Sequence, residues 1–417
     1  MSLSIANNKE NKLILLIFTI LFLIIFIIEP LDQIFNGFIL ILTSPSILLT
    51  DYLLVGGLAA TLLNVSLTVL LNLFIVKKLK LEITGPIFAC LMMIAGFAFF
   101  GKNLFNAIPI YIGIYLYSKV TKIQLKDLIL VFLLSSGISP SVSYILFGLN
   151  LEFYYSIPLA ILVGMLIGFI LPAFNAHTIK FHQGYNLYNT GFSMGIISMM
   201  MTGIMLIFFD IERQSGVNNS YHIYLLFSLI IISLVLIIAS FILDPKVHIK
   251  YQLILKKTGR LITDFNKVGG FEATLLNIGI MGLLSALVVL SLNVLISGPI
   301  IGAIITIMGF AAFGKHPLNS MPVVLGAILA VLITPLELKI DNVLAILFVT
   351  GLAPLSGRYG IIAGLLAGFV HLLITPLALS FQGGFDLYNN GFAAGFVAAL
   401  ITSLFSIIKP STDELPL

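Results

Sequence analysis

Apolar residues run through this chain in long, almost unbroken stretches separated by short polar segments. Stretches at 11–29, 54–76, 84–101, 105–118, 127–146, 157–174, 190–209 and 221–243 occupy the first part, and 268–294, 298–314, 321–337, 342–357, 360–379 and 387–407 the rest. As helices they are long enough, or nearly so, to cross a hydrocarbon core of about 30 Å. Transmembrane β-strands alternate apolar and polar residues over about ten positions, and these solid runs do not. The pattern predicts an all-α polytopic membrane protein of about 14 transmembrane helices.

The runs come in two matching sets. Val55-Gly56-Gly57 with Ala60-Thr61-Leu62-Leu63-Asn64 returns 213 residues later as Val268-Gly269-Gly270 with Ala273-Thr274-Leu275-Leu276-Asn277. Gly96-Phe97-Ala98-Phe99-Phe100-Gly101-Lys102, with Asn106 and Pro109, returns at the same offset as Gly309-Phe310-Ala311-Ala312-Phe313-Gly314-Lys315, with Asn319 and Pro322. Gly184-Tyr185-Asn186-Leu187-Tyr188-Asn189-Thr190-Gly191-Phe192 returns as Gly384-Phe385-Asp386-Leu387-Tyr388-Asn389-Asn390-Gly391-Phe392, now at an offset of 200, as expected if a loop around 148–156 is missing from the second copy. The chain thus divides into a first membrane repeat, 1–210, and a second, 211–417. In each, one helix ending in an acid and proline, Glu29-Pro30 or Asp244-Pro245, is followed by a segment of some 20 residues and six more spans. Those segments, 31–51 and 246–264, correspond in position, and the second is too rich in lysine to cross, so both are read as interfacial or re-entrant.

Seven spans per copy is an odd number, so the second copy enters the bilayer from the opposite side: an inverted-topology repeat. Charge placement agrees. With both termini cytoplasmic, the inner segments carry Lys77, Lys78 and Lys80, then Lys119, Lys122 and Lys126, then Lys180, six basic residues over 246–267, the loop at Lys315, Arg358 and Lys409. The outer positions keep Lys102, Arg213, Lys339 and little else. The first run lacks a small-residue cleavage site before Glu29-Pro30 and is read as a retained helix, not a signal peptide.

Composition supports the membrane reading: the chain is 59% hydrophobic and 9% charged, with a mean hydropathy of +1.15. Cys90 stands alone, which excludes an intrachain disulfide or thiolate cluster, and the six histidines have no ligand spacing, so no metal is expected. No phosphate-binding glycine loop is present, which argues against a nucleotide-driven pump, and no cofactor is expected. The expected partners are the lipid bilayer, a small polar solute or ion and at most further copies of the chain in a homo-oligomer, with no nucleic acid.

Candidate chemistry lies where both copies keep polar groups inside apolar runs. Lys102 and Lys315, with Asn106 and Asn319, sit in the loop between two short runs. That loop fits a broken helix facing a solute, or a tight turn at the surface with lysines reaching lipid phosphates. Asn186, Asn189, Asp386 and Asn389 precede a helical run as caps do, while Tyr188 and Tyr388 suit the wall of a solute pocket. Asn186 in one copy against Asp386 in the other leaves one side able to carry a proton or cation. Proline breaks at Pro140 and Pro354, with Ser139 and Ser356 beside them, free backbone carbonyls within the fifth span. Thr61, Asn64, Thr274 and Asn277 add polar groups at i,i+3 within the second span. The broken spans and Tyr-Asn segments are expected to line one central, partly polar cavity.

On Val268-Gly269-Gly270, Gly309 to Pro322 and Gly384 to Gly395, with their first-copy equivalents, the chain resembles a family of bacterial polytopic membrane proteins known as a domain of unknown function. In architecture it is also similar, more faintly, to transporters with two inverted seven-helix units and to urea-type channels. The reading is a secondary transporter of a small polar solute or ion across the cytoplasmic membrane, not an enzyme, with a site between the repeats. A passive channel for a small neutral, urea-like solute is the alternative within transport, and a membrane-embedded enzyme or scaffold the alternative outside it.

Overall fold

The computed structural model describes Thr19, Leu23 and residues 25–209 and 223–408, all helical or in connecting turns. Most of the first run, the segment 210–222 with Arg213, which the sequence reading puts outside, and the tail from 409 lie outside the described residues.

In the first copy the helices are α1 (Leu31–Thr43), α2 (Tyr52–Lys78), α3 (Gly85–Phe97), α4 (Ile108–Thr121), α5 (Ile129–Leu134), α6 (Pro140–Phe147), α7 (Phe153–Phe181) and α8 (Asn189–Phe208). The second copy begins with α9 (Ile223–Leu243) and repeats the order as α10 (Val247–Leu255), α11 (Phe265–Ser291), α12 (Gly298–Phe310), α13 (Pro317–Ile333), α14 (Ile340–Phe348), α15 (Ala353–Tyr359), α16 (Ile361–Gln382) and α17 (Asn389–Ser406). The shortened offset falls where expected. A linker at 148–152 precedes a 29-residue α7, whereas Gly360 alone precedes a 22-residue α16.

Among the described residues nine helices, counting each broken fifth span as one, are long and apolar enough to cross a membrane. Four runs read as spans are shorter: α3 and α12 have 13 residues, α4 has 14 and α13 has 17. At 1.5 Å per residue, a 13-residue helix covers about 20 Å, well short of a hydrocarbon core of about 30 Å. The Gly-Phe-Ala-x-Phe-Gly-Lys segment is the reason, since α3 and α12 both end within it and the chain turns back. The segments 31–51 and 246–264 do contain short helices. α1 buries Ile34, Gly37 and Ile41 and leaves Leu31, Phe35 and Ile39 exposed.

Two glycines interrupt the second span identically. Gly57 and Gly270 both have φ of 82°, a left-handed setting that costs a β-carbon-bearing residue, and the carbonyl of each accepts from the Thr61 or Thr274 hydroxyl one turn on, at 2.7 or 2.9 Å.

The copies meet through α3 and α12. Gly96 lies against Gly302, and Gly309 against Ala89 and Met92, so the two helices run antiparallel, at a separation that leaves no room for a β-carbon. Their starts are bound by aspartates of the opposite copy. The Gly298 N–H donates to Asp51 at 2.9 Å and the Gly85 N–H to Asp264 at 3.2 Å, while the same carboxylates accept from Leu53 and Asn266 of their own helices.

Candidate functional site

The half-length helices α3 and α12 end inside the protein, and the turns that follow them expose carbonyls that need partners there. Asn64 and Asn277 supply them. The Asn64 amide donates to Ala98 O and Lys102 O, both at 2.9 Å, and Asn277 donates to Ala311 O at 2.6 Å and Lys315 O at 2.7 Å. Asn106 and Asn319 brace the same loops from within, donating to Gly101 O at 3.0 Å and Gly314 O at 2.8 Å and accepting from the Asn103 and His316 N–H groups. Thr61, Thr274 and these four asparagines therefore hold backbone that leaves the helical pattern.

Lys102 and Lys315 follow these helix ends and are 1% and 0% exposed, which rules out a surface turn with snorkelling lysines and removes both residues from the loop charge balance. Lys315 Nζ donates to the Tyr188 hydroxyl and to Thr350 Oγ1 (2.8 Å) and stands over the Tyr188 ring, 4.5 Å from its centroid. Lys102 lies over Tyr111, 5.8 Å from the ring centroid. Neither has a carboxylate partner: the ion pairs among the described residues are Lys250 with Asp244 and Glu272, and Lys339 with Glu337.

The proline breaks form as expected. A 3-10 turn over Ser135–Ile138 separates α5 from α6, and one over Val349–Leu352 separates α14 from α15. The carbonyls exposed there are taken up by the other copy: Leu187 N–H donates to Gly351 O at 3.0 Å and Leu387 N–H to Gly137 O at 2.9 Å. Ser139 and Ser356 are buried beside the breaks, and Ser139 Oγ has no hydrogen-bond partner among the described residues.

The Tyr-Asn segments meet each other. Tyr188 and Tyr388 rings lie 4.9 Å apart, and Phe97, Phe310 and Phe348 pack edge-on around them. Packed rings, instead of the expected cavity, occupy this meeting point. Asn186 and Asp386 are not helix caps. Each accepts from the N–H two residues on, Tyr188 or Tyr388, at 2.9 Å, closing an Asx-turn that aims the tyrosine inward. The difference between them lies in the second side-chain atom. Asn186 Nδ2 donates to Gly391 O at 2.9 Å, whereas Asp386 Oδ2 and the Tyr388 hydroxyl are buried without a hydrogen-bond partner among the described residues.

Asn189 belongs to a closed network that sequence reasoning missed. Its Oδ1 meets His182 Nε2 at 2.8 Å and accepts from Thr178 Oγ1 at 3.0 Å, and its amide donates to Asn175 Oδ1 at 2.9 Å. The available signal was the spacing of Asn175, Thr178 and His182 along one face of α7. The second copy lacks the equivalent: Gln382 stands in place of His182 with neither amide atom partnered among the described residues, and Asn389 Oδ1 accepts from Asn390 at 2.8 Å.

The chain belongs to the family described as proteins of unknown function DUF1576, whose model matches residues 31–207 and 244–407. No curated protein and no solved structure matches it.

Proposed function

We propose that this protein is a secondary transporter of a small polar solute or ion in the cytoplasmic membrane, built from two inverted copies with the solute pathway between them. The observation that carries the reading is reciprocity. Asp51 binds the start of α12 and Asp264 the start of α3, and Leu187 bonds to Gly351 as Leu387 bonds to Gly137. Such exchange of equivalent contacts is the signature of two-fold related units. Equivalent helices packed antiparallel favour an axis lying across them, in the membrane plane, which agrees with the placement of lysine and arginine. With the first run counted as the span that the sequence reads there, each copy then has five crossing helices and one hairpin of two short helices that enters and leaves on the same side. Five is odd, so the inversion and the cytoplasmic termini are retained with ten crossings and two hairpins instead of fourteen simple spans.

Transport follows from where the breaks meet. Discontinuous helices at the interface of inverted repeats are where solute and coupling-ion sites form. Here the two hairpin ends, the two broken spans and the two Tyr-Asn segments converge on the Tyr188–Tyr388 pair, a closed centre that opens to one face when a hairpin and broken span part from the opposite Tyr-Asn segment. Asp386 is the coupling group. At the position where Asn186 donates to a carbonyl, a protonated carboxyl can donate and an ionised one cannot, so gain or loss of a proton changes that contact.

A passive channel is the second reading, favoured by the small number of charges in the spans. Flux into sealed vesicles separates the two. Saturable uptake that follows a proton gradient and loses that dependence in Asp386→Asn supports coupled transport. Gradient-independent, non-saturating flux would overturn it.

A further inference from the structure

Tyr188 and Tyr388 stand in equivalent places but are held differently. Tyr188 packs edge-on against Phe310, the last residue of α12, with ring centroids 5.0 Å apart, and Tyr388 against Phe97, the last of α3, with centroids 4.6 Å apart. Each ring also lies against a glycine in the broken span of the opposite copy, Gly351 or Gly137. The Tyr188 hydroxyl accepts from Lys315 Nζ, which also donates to Thr350 at 2.8 Å. The Tyr388 hydroxyl has no hydrogen-bond partner among the described residues, and Lys102, the equivalent of Lys315, is turned to the Tyr111 ring instead.

The sequence supplies the reason. Tyr111 stacks on Phe132 with ring centroids 4.3 Å apart and donates its hydroxyl to Asn72 at 2.9 Å, so its face is fixed beside Lys102. Val324 holds the equivalent position in the second copy and offers Lys315 no ring there. Lys102 thus has two seats where Lys315 has one. The seat it occupies is the weaker. At 5.8 Å the ammonium is close to the roughly 6 Å limit of a cation–π contact, whereas a bond to the unpartnered Tyr388 hydroxyl is charge-assisted. Rotation of the flexible side chain reaches that hydroxyl, since Lys315 makes the same bond from the equivalent backbone position.

The two pairs also lie toward different sides. The turn that carries Lys315 is tied to the segment 246–264, by Asn319 to Thr258 O at 3.2 Å and by His316 to Lys257 O at 2.8 Å. The turn that carries Lys102 is tied to the segment 31–51, by Asn103 to Ile41 O at 3.3 Å. In the inverted arrangement the first is the inner side and the second the outer. A hairpin end bonded to the Tyr-Asn segment of the other copy keeps its own side shut. We propose that Lys315 with Tyr188 and Lys102 with Tyr388 are the inner and outer latches of the pathway, closed in turn. In this structure the inner latch is closed and the outer one released, with Tyr111 holding Lys102 while it is released. This deepens the transporter reading and rests on it for the order of opening, but not for the exchange of Lys102 between two seats.

Thermal melting of the purified full-length chain in detergent tests the pairs as double-mutant cycles. Lys315→Met and Tyr188→Phe are expected to couple, their joint shift in melting temperature departing from the sum of the single shifts by about 2 °C or more. Lys102→Met and Tyr388→Phe are expected to add. In a Tyr111→Val background, which copies the second repeat and removes the ring seat, they are expected to couple as the inner pair does. The gate is read from Ser139→Cys in Cys90→Ala protein, since Ser139 is buried two residues from the glycine that the Tyr388 ring covers. Its reaction with a small maleimide is expected to slow by about tenfold or more in Tyr111→Val and to recover when Tyr388→Phe is added. Gel filtration establishes that each variant is folded. Coupling of Lys102 with Tyr388 as strong without Tyr111→Val as with it would overturn the released outer latch. No coupling in folded Tyr111→Val would remove the latch itself, and a reaction at Ser139→Cys that ignores Tyr111→Val would remove its gating. The expected couplings without saturable flux in vesicles would instead count against transport and leave the exchange of seats standing.

Discussion

Asp51 accepts a hydrogen bond from the backbone N–H of Gly298, 247 residues away, at 2.9 Å, while its other oxygen caps its own helix through Leu53 at the same distance. One carboxylate thus starts two helices that belong to different copies, and Asp264 does the same with Gly85 and Asn266. Loss of a single cap costs roughly 0.5–2 kcal/mol. Asp51→Ala removes two and is expected at the upper end of that range or beyond it, and Asp51→Asn, which keeps an acceptor for one N–H, less. Thermal unfolding of the purified protein checks the order. Equal melting temperatures for wild type and Asp51→Ala would show that the cross-copy cap contributes nothing.

Glycines separate packing from propensity. A β-carbon on Gly302 would meet Gly96 O of the opposing helix, and the aromatic ring of Phe100 leaves it no alternative. Gly302→Ala is therefore expected to destabilise by about 1–3 kcal/mol through overpacking. Gly203, in α8, has nothing within 4 Å of the same point. Gly203→Ala gains helix propensity without a clash and is expected to stabilise by about 0.5–1 kcal/mol. Opposite signs in thermal melts of the two variants are the expected result.

The breaks at Pro140 and Pro354, the turns before Tyr188 and Tyr388, and the equivalence of the copies are legible in the sequence because glycine, proline and an internal second copy mark them directly. The lengths of α3 and α12 are not. Hydropathy registers burial, and Phe99 and Phe100 are buried although the backbone has already left the helix, so the apolar run outlasts the helix. Lys102 and Lys315 are misplaced by the same logic in reverse, since a charge beside a glycine reads as a surface loop. Contacts such as Asp51 with Gly298 depend on how the copies dock, which no local pattern encodes.

Asn64 and Asn277 do the same work with different support. Each holds two carbonyls of the turn that follows a half-length helix, but Asn277 Oδ1 also accepts from the Tyr251 hydroxyl at 3.1 Å, whereas Asn64 Oδ1 has no partner among the described residues. Buried groups left unsatisfied cost about 1–3 kcal/mol each. Asn277→Leu leaves three groups unpaired and is expected to cost more than Asn64→Leu, which leaves two. Melting temperatures in detergent check this. A larger loss in Asn64→Leu would show that the Tyr251 contact does not stabilise the loop.

Orientation can be read by labelling surface positions chosen for exposure. Asn150, after the broken fifth span of the first copy, and Asn293, after α11, are exposed and are expected on the outer face in the inverted arrangement; Lys122 and Lys256 are exposed and expected inside. Cys90 is buried and is replaced by Ala so that each new thiol is the only one. In intact spheroplasts a membrane-impermeant maleimide is expected to modify Asn150→Cys and Asn293→Cys, and to reach Lys122→Cys and Lys256→Cys only after the membrane is opened. Asn293 is the decisive position. Its first-copy equivalent is Lys80, on the same side as Lys122, so two copies inserted in the same orientation would protect Asn293→Cys together with Lys122→Cys. Labelling of Lys256→Cys in intact cells would likewise place the second copy the same way round as the first. Either outcome would leave the reciprocal contacts at Asp51 and Asp264 intact but take away the membrane-plane axis, and with it the two-sided opening on which alternating access depends.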